Sequence, residues 1–385
     1  MKTNFNIGLA RMHKEPGERR DFLPSFVSRL EKFGAQVTLE YGYGSGMGFV
    51  EEDYLSLAPS IVFASHEEVF TQDYVLVLRY TSDQDVLLMK PGSCLISMLH
   101  YPTRPQRVEL LRSHGLEAIS LDSLKDDSNR RLVENLKAVA WNGIEAAFQV
   151  LRNTYPAPGL GSPQRPPIYV TLMGVGAVGG HVIQAAIRYG NDALRAHMAS
   201  AGIPGVQVTA VDFDITPHEN IMREILECTD VLVDATQRPD PSKPVIPNKW
   251  VGYLPEHAVL LDLSVDPYNC ETSPPYIKGI EGIPQGSLDQ YIFMPDDPAY
   301  EAIPDCVSTQ HRRHTVSCYS WPGIYPRKCM EVYGRQIRPI LRVLIDRGGI
   351  HNIDLQGSFF ERAMGRAMLS NWPAEDNGNH NSTHE

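Results

Sequence analysis

The chain has 385 residues, of which 42% are hydrophobic and 21% charged, and its 46 acids and 35 bases give a formal net charge of −11. This is the make-up of an ordinary globular chain, with length for two or three domains that each bury a core. The acidic balance argues against a nucleic-acid or anionic-membrane partner, and no run of about 18 apolar residues could span a bilayer.

The opening MKTNFNIGLA lacks the apolar stretch of a signal peptide. The six cysteines form no C-x-x-C pair and read as free thiols of a reducing, cytoplasmic compartment. NIGLA (6–10) reads as a short strand, and Pro24 introduces a helix with Phe26, Leu30 and Phe33 on one face, stopped by Gly34. QVTLE (36–40), SIVFA (60–64), YVLVLRY (74–80), CLISMLH (94–100) and LEAISLD (116–122) are further strands, with a helix, VELLRSHG (108–115), between the last two. A long helical pattern over 130–155 leads to the proline-rich connector PAPGLGSPQRPP (156–167).

A second alternation begins at IYVTLMG (168–174). The helix VIQAAIRYG (182–190), the strand VQVTAVDFD (206–214), the helix NIMREILEC (220–228) and the strands DVLVDAT (230–236) and AVLLDLSVD (258–266) follow. A long amphipathic helix over 328–349, with Pro339 as a kink, returns the chain to the first lobe, and the polar tail 375–385 reads as disordered. Alternation of this kind predicts α/β architecture, with parallel sheets covered by helices on both faces. The expected domains are 1–140 with 327–385, and 141–326.

Gly174, Gly176 and Gly179 stand at G-x-G-x-x-G spacing between an apolar strand and a helix that Ala177 and Val178 open. Three glycines alone prove little, but the strand and helix around them supply the needed context. The first glycine permits the tight turn, the second admits pyrophosphate to the backbone, and the third lets helix and strand pack closely. The phosphate then rests on free N–H groups at the helix start. An acid is normally found about 20 residues on, but that region holds ALRAHMAS. An extension of the crossover over 191–205 displaces the second strand, and Asp212 at its end is the ribose ligand, with Asp214 the alternative. A carboxylate there repels a 2′-phosphate and favours NAD.

Four separated motifs add to this pattern: KEPGERRDFLPSFV (14–27), CLISMLHYPT (94–103), AVLLDLSVDPYNCETSPP (258–275) and CYSWPGIYP (318–326). In this order they resemble the alanine dehydrogenase and transhydrogenase family, which includes the lysine-forming saccharopine dehydrogenases. The resemblance implies two Rossmann-like doubly wound domains with an interdomain cleft. The first would be the substrate domain and the second the NAD-binding domain. It assigns Arg19 to a substrate carboxylate, with Arg20 as the alternative, because a guanidinium fork donates two parallel hydrogen bonds. His100, at a strand end, would exchange protons near neutral pH. Asp266 would support the reacting carbon. Ser264, in the same segment, and Trp321, in the loop where the family often has Asn-Met-Pro-Gly, would lie against the cofactor.

The sequence departs from the family where a lysine usually follows the strand matching YVLVLRY. Either Thr81 or Arg79 occupies that place, and arginine can anchor a carboxylate but not act as a base near neutral pH. STQHRRHTVS (308–317) is either an added anion-binding wall or a solvated loop, and its His-x-x-His lacks the further ligands of a metal site. The resemblance therefore implies a cytoplasmic, homo-oligomeric, NAD-dependent dehydrogenase acting on the CH–NH2 or CH–NH bond of a small amino acid or oxoacid substrate. The alternatives are an opine-type enzyme that joins or splits an amino acid and an oxoacid, and a non-catalytic NAD-binding homologue.

Overall fold

The computed structural model describes residues 5–12 and 15–373, and the statements below concern those residues. The tail 375–385, read above as disordered, lies outside them. The chain forms two compact units, one from residues 1–134 with 325–385 and one from residues 135–324.

In the first unit β1 (Phe5–Leu9), α1 (Pro24–Phe33), β2 (Ala35–Glu40), α2 (Glu51–Leu55), β3 (Val62–Ala64) and α3 (His66–Phe70) come first. They are followed by β4 (Tyr74–Arg79), α4 (Asp83–Leu87), β5 (Cys94–Met98), α5 (Pro105–Ser113) and β6 (Glu117–Ser120). The strands are all parallel, in the order β3-β2-β1-β4-β5-β6. β4 is apolar and buried over four successive residues, as a strand covered on both faces must be. Sheet growth reverses between β1 and β4, so the loops leaving those strands part and open a crevice at their carboxyl ends.

In the second unit α6 (Leu136–Thr154), β7 (Ile168–Met173), α7 (Ala177–Ala186), α8 (Asp192–Ser200), β8 (Val206–Val211) and α9 (Glu219–Leu226) come first. β9 (Val231–Asp234), α10 (Asn248–Val251), β10 (Val259–Asp262), β11 (Ile292–Phe293) and β12 (His314–Ser317) complete it. Its strand order is β11-β12-β10-β9-β7-β8, parallel except for the edge strand β11. The reversal falls between β7 and β9, beside the glycine turn.

The chain returns to the first unit as α11 (Pro326–Asp346) and α12 (Phe359–Ala367). Buried Met330, Tyr333, Ile337, Ile340, Leu341 and Leu344 form the apolar stripe of α11, which packs against α1. Pro339 stands inside this helix, where its missing N–H removes one turn bond.

The structure differs from the sequence reading in several places. The long helix starts at Leu136 rather than at residue 130. The preceding residues are taken by tertiary pairing instead: Leu132 N–H donates to Leu124 O, and Gln336 bonds both polar main-chain groups of Glu134. The extension of the first crossover is itself a helix, α8, capped by the Asn191 side chain on Leu194 N. Cys270 and Cys306 are joined by a disulfide, which corrects the reading of all six cysteines as free. They stand 36 residues apart in irregular segments, a separation that carries no pairing signal. Among the described residues no helix is long and apolar enough to cross a membrane.

Leu341 is fully buried in the first unit's core, so Leu341→Ala should cost about 2–5 kcal/mol of stability. Urea unfolding measures this, and a cost within error of zero would remove α11 from that core.

Candidate functional site

At the carboxyl edge of the first unit's sheet, Arg79 closes β4 and pairs in register with Met98 on β5, two residues before His100. His100 has left-handed backbone, φ 53° and ψ 47°. This conformation is uncommon outside glycine, though histidine tolerates it better than most residues. It is held from several sides. Asp122, buried in the turn after β6, accepts from Leu99 N at 2.9 Å, His100 N at 3.2 Å and Ser120 Oγ at 2.8 Å, all on Oδ1. Its Oδ2 lies 3.2 Å from His100 Nδ1, while Arg107 donates to Leu99 O at 2.9 Å. The imidazole is half exposed, so its Nε2 edge is the one left for a ligand. Burial pushes the Asp122 carboxyl up, but the hydrogen bonds and charge of His100, with Ser120, outweigh it and hold the group below the usual carboxylate range.

The two arginines of the opening loop separate clearly. Arg20 is buried and spends its fork on Glu18, with Nε–Oε1 2.8 Å and Nη2–Oε2 2.5 Å. Arg19 is exposed, and its main chain packs so closely on Gly46 that a Cβ there would stand 3.0 Å from Arg19 Cα. Arg79 is partly exposed, with Glu15 Oε1 3.8 Å from its Nη2, whereas Thr81 is buried.

In the second unit Gly174 has φ 86°, and a Cβ on it would stand 2.8 Å from Ala235 O. A Cβ on Gly179 would stand 2.4 Å from Gly174 O, so strand and helix touch there. A Cβ on Gly176 meets nothing within 4 Å. Gly176 caps α7, whose first residues, Ala177 and Val178, carry N–H groups with no partner inside the helix. Asp212 follows β8, half-buried, with Oδ1 accepting from Phe213 N at 2.9 Å; Asp214 is exposed. Two glycines closed to side chains, one open to solvent, a free helix start and an acid after the second strand together fit a dinucleotide.

The strands beside this turn end on a buried charge cluster. Lys278 Nζ lies 2.9 Å from Asp262 Oδ2, and both side chains are 1% exposed. Burial raises the Asp262 carboxyl, but the Lys278 charge prevails and holds it low. Asp234 lacks such a partner, and burial with neighbouring Asp262 pushes it up to about 6. Ser264 Oγ reaches both acids, at 3.1 Å to Asp234 and 3.2 Å to Asp262. Asp266 pairs with Arg238 at 2.8 Å. Trp321 is turned into the core, its indole N–H donating to Asp262 O and its carbonyl accepting from Asn142, so its side chain offers a ligand no polar atom.

The stretch 308–317 forms no anion-binding wall beside the glycine turn, and residues 308–313 are an irregular, partly exposed loop. It precedes and enters β12, which runs parallel to β10, so its arginines sit at the amino edge of the sheet. The glycine turn and Asp266 lie at the carboxyl edge. Arg313 donates to the carbonyls of Leu254, Pro255 and Arg312, and Arg312 pairs with Glu301.

Residues 11–141 match the family model described as alanine dehydrogenase/PNT, N-terminal domain. An alanine dehydrogenase of Bacillus subtilis (strain 168) is 24% identical over 274 residues, covering 68% of this chain and 70% of that protein. The NAD(P) transhydrogenase subunit alpha of Haemophilus influenzae is 18% identical over 379 residues, covering 91% and 68%. These matches support a relationship to the alanine dehydrogenase and transhydrogenase family, with the family model matching the first third of the chain. A solved L-alanine dehydrogenase shares the fold of this chain, with a TM-score of 0.70 at 18% identity over 94% of each chain.

Sequence reasoning missed Asp122, Arg238, Lys278 and Asp234. Asp122 had a usable signal, since it closes the apolar segment 116–122, whose strand lies next to the one that leads to His100. Arg238 and Lys278 had none, because they lie in irregular segments whose neighbours only the fold brings close.

A carboxyl held low in the folded state adds stability above its ordinary value near 3.8 and loses it as pH falls below that. Asp122→Asn should therefore cost about 1–3 kcal/mol near pH 7, and the gap to wild type should narrow near pH 3. Urea unfolding at both pH values tests this, and an equal gap at both would contradict the ionic account.

Proposed function

We propose that the chain is an NAD-dependent dehydrogenase acting at the carbon–nitrogen bond of an amino acid. The observation that carries this reading is His100, left-handed at a strand end and tethered through Nδ1 to buried Asp122. Its similarity to alanine dehydrogenases supports an oxidoreductase of CH–NH2 donors. The glycine turn supports a dinucleotide.

In this reading Gly174, Gly176, Gly179 and the first N–H groups of α7 hold the pyrophosphate, and Asp212 holds the adenosine ribose. A nicotinamide cofactor held there would supply the hydride acceptor, or donor, for the amino-bearing carbon. Arg19 and Arg79 bind the substrate carboxylate, and Arg20 does not, because Glu18 occupies its fork. His100 Nδ1 is committed to Asp122, so Nε2 takes a proton from the water that attacks the substrate imine. The same atom then passes that proton to the amine nitrogen of the carbinolamine and, as the C–N bond breaks, accepts the hydroxyl proton, leaving carbonyl and amine. Asp122 orients the ring, as a buried carboxylate does for a catalytic imidazole. A base in the place of the family lysine is not required by this scheme.

Arg79 in that place favours the opine-type version. Two guanidinium groups of one unit, one on the opening loop and one at the end of β4, suit a substrate assembled from an amino acid and an oxoacid, which carries at least two carboxylates.

A panel of amino acids with NAD, and of oxoacid–amine pairs with NADH, followed by NADH absorbance, tests the reading. Turnover of oxoacid–amine pairs alone would select the opine-type version. NADH binding with no turnover anywhere would leave a non-catalytic binder. Against the active substrate, His100→Asn should lower kcat by roughly 100- to 10,000-fold and leave NADH binding unchanged. Gly176→Val places a side chain in open space at φ −68°, so the protein should fold normally but bind NADH about tenfold or more weakly. Unchanged affinity in that variant would take the dinucleotide off this turn.

A further inference from the structure

We propose that Arg238 is a positioning residue that fixes one oxygen of Asp266 so that the other faces the reacting centre. The inference rests on the dehydrogenase reading above, with Asp266 at the chemistry.

The main chain that delivers Asp266 is strained and anchored. Val265, immediately before it, has φ 59°. A β-branched residue in the left-handed region is an outlier and persists only where the surroundings enforce it. Here Asp262 Oδ1 accepts Val265 N–H at 2.9 Å, and Asp262 is itself fixed by Lys278 and Ser317 on Oδ2. The freedom left at Asp266 is rotation of its own side chain, and Arg238 removes it.

Arg238 places its donors on four groups. Nη2 and Nε both reach Asp266 Oδ2, at 2.8 and 3.3 Å. Nη2 also reaches Ile277 O at 2.6 Å, and Nη1 reaches Lys243 O at 2.8 Å and Pro241 O at 3.3 Å. The guanidinium is 6% exposed and Asp266 36%. Both bonds to the carboxylate converge on one oxygen, and no group among the described residues donates to Oδ1. Asp266 is thus anchored by one oxygen and open at the other. A planar fork can satisfy these acceptors together, whereas a lysine ammonium is a point charge.

The loop that carries Arg238 links this carboxylate to the glycine turn. Its first residues, Ala235 and Thr236, pack against Gly174 so closely that a Cβ there would clash, and Asp234 caps Thr236 through its N–H at 3.0 Å and its hydroxyl at 2.6 Å. One segment therefore touches the proposed pyrophosphate turn at its start and Asp266 further along. Oδ1 presented from this frame accepts an N–H of the substrate amine and holds positive charge near the carbon that changes oxidation state.

The test compares Arg238→Met, Arg238→Lys, Asp266→Asn and Arg238→Met/Asp266→Asn with wild type. The readouts are kcat and KM on the active substrate of the panel, the NADH dissociation constant from tryptophan fluorescence, and melting temperature. If Arg238 acts through Asp266, Arg238→Met lowers kcat by roughly 100-fold, the loss that a misplacement of about 1 Å produces. NADH affinity changes little, Arg238→Lys recovers part of the rate, and the double variant is no slower than Asp266→Asn alone. Should Arg238→Met not fold, Arg238→Lys and its double with Asp266→Asn carry the same comparison. A lowered melting temperature with kcat unchanged, or losses that multiply in the double variant, makes Arg238 a loop staple and overturns the inference. So does a crystal structure of the cofactor-free Arg238→Met protein in which Asp266 keeps its place. Wild-type turnover that survives these variants defeats this inference alone. A wild type that neither binds NADH nor turns over any substrate defeats the dehydrogenase reading and this inference with it.

Discussion

A parallel strand that ends in a left-handed turn strands its last N–H groups, and both units answer this with a buried aspartate. In the first unit Asp122 takes the N–H groups of Leu99 and His100. In the second, Asp262 takes that of Val265. An unmet buried N–H costs about 1–3 kcal/mol, comparable to the strain of a non-glycine left-handed residue. Each aspartate therefore decides whether its turn exists at all. The residues assigned to chemistry, His100 and Asp266, are the residues these turns deliver, so their placement depends on carboxylates that need touch no ligand.

Such carboxylates need counter-charges, and burial decides which charged groups face solvent. Asp262 stays charged because Lys278 is buried with it, and Asp234, which has hydroxyl and N–H donors but no cation, is driven up to about 6. Gly279 is part of the same arrangement, since a Cβ there would stand 2.0 Å from Asp234 Oδ2. The same logic sorts the arginines. Arg20 is consumed by Glu18 and Arg313 by main-chain carbonyls, while Arg19 and Arg79 keep exposed surface. Charge type alone ranks these four side chains equally, and burial separates them.

The strand–turn–helix around Gly174, Gly176 and Gly179 was legible because each glycine answers a local demand: a positive φ, an open approach, or a contact too close for a Cβ. The central strands were legible because runs such as YVLVLR are apolar without interruption. Strand β11 has two residues and no period to detect. The start of α6 was misjudged because residues 130–135 have helical character that pairing with Leu124 and Gln336 overrides. The indole of Trp321 looked like a loop side chain beside a cofactor, and the fold uses it as a plug with its N–H on Asp262 O.

The sequence by itself determined the α/β class, the two alternating halves, the glycine turn and the strand ends at which His100 and Asp266 stand. These follow from periodicity and from residues whose backbone needs are local. Only the tertiary structure decided that Asp122 holds His100, that Arg238 holds Asp266, that Arg20 is spent and that Cys270 meets Cys306. Each of those is a contact between segments 2 to 36 residues apart, and which donor meets which acceptor depends on how loops fold over a finished sheet. Spacing along a chain carries no record of that.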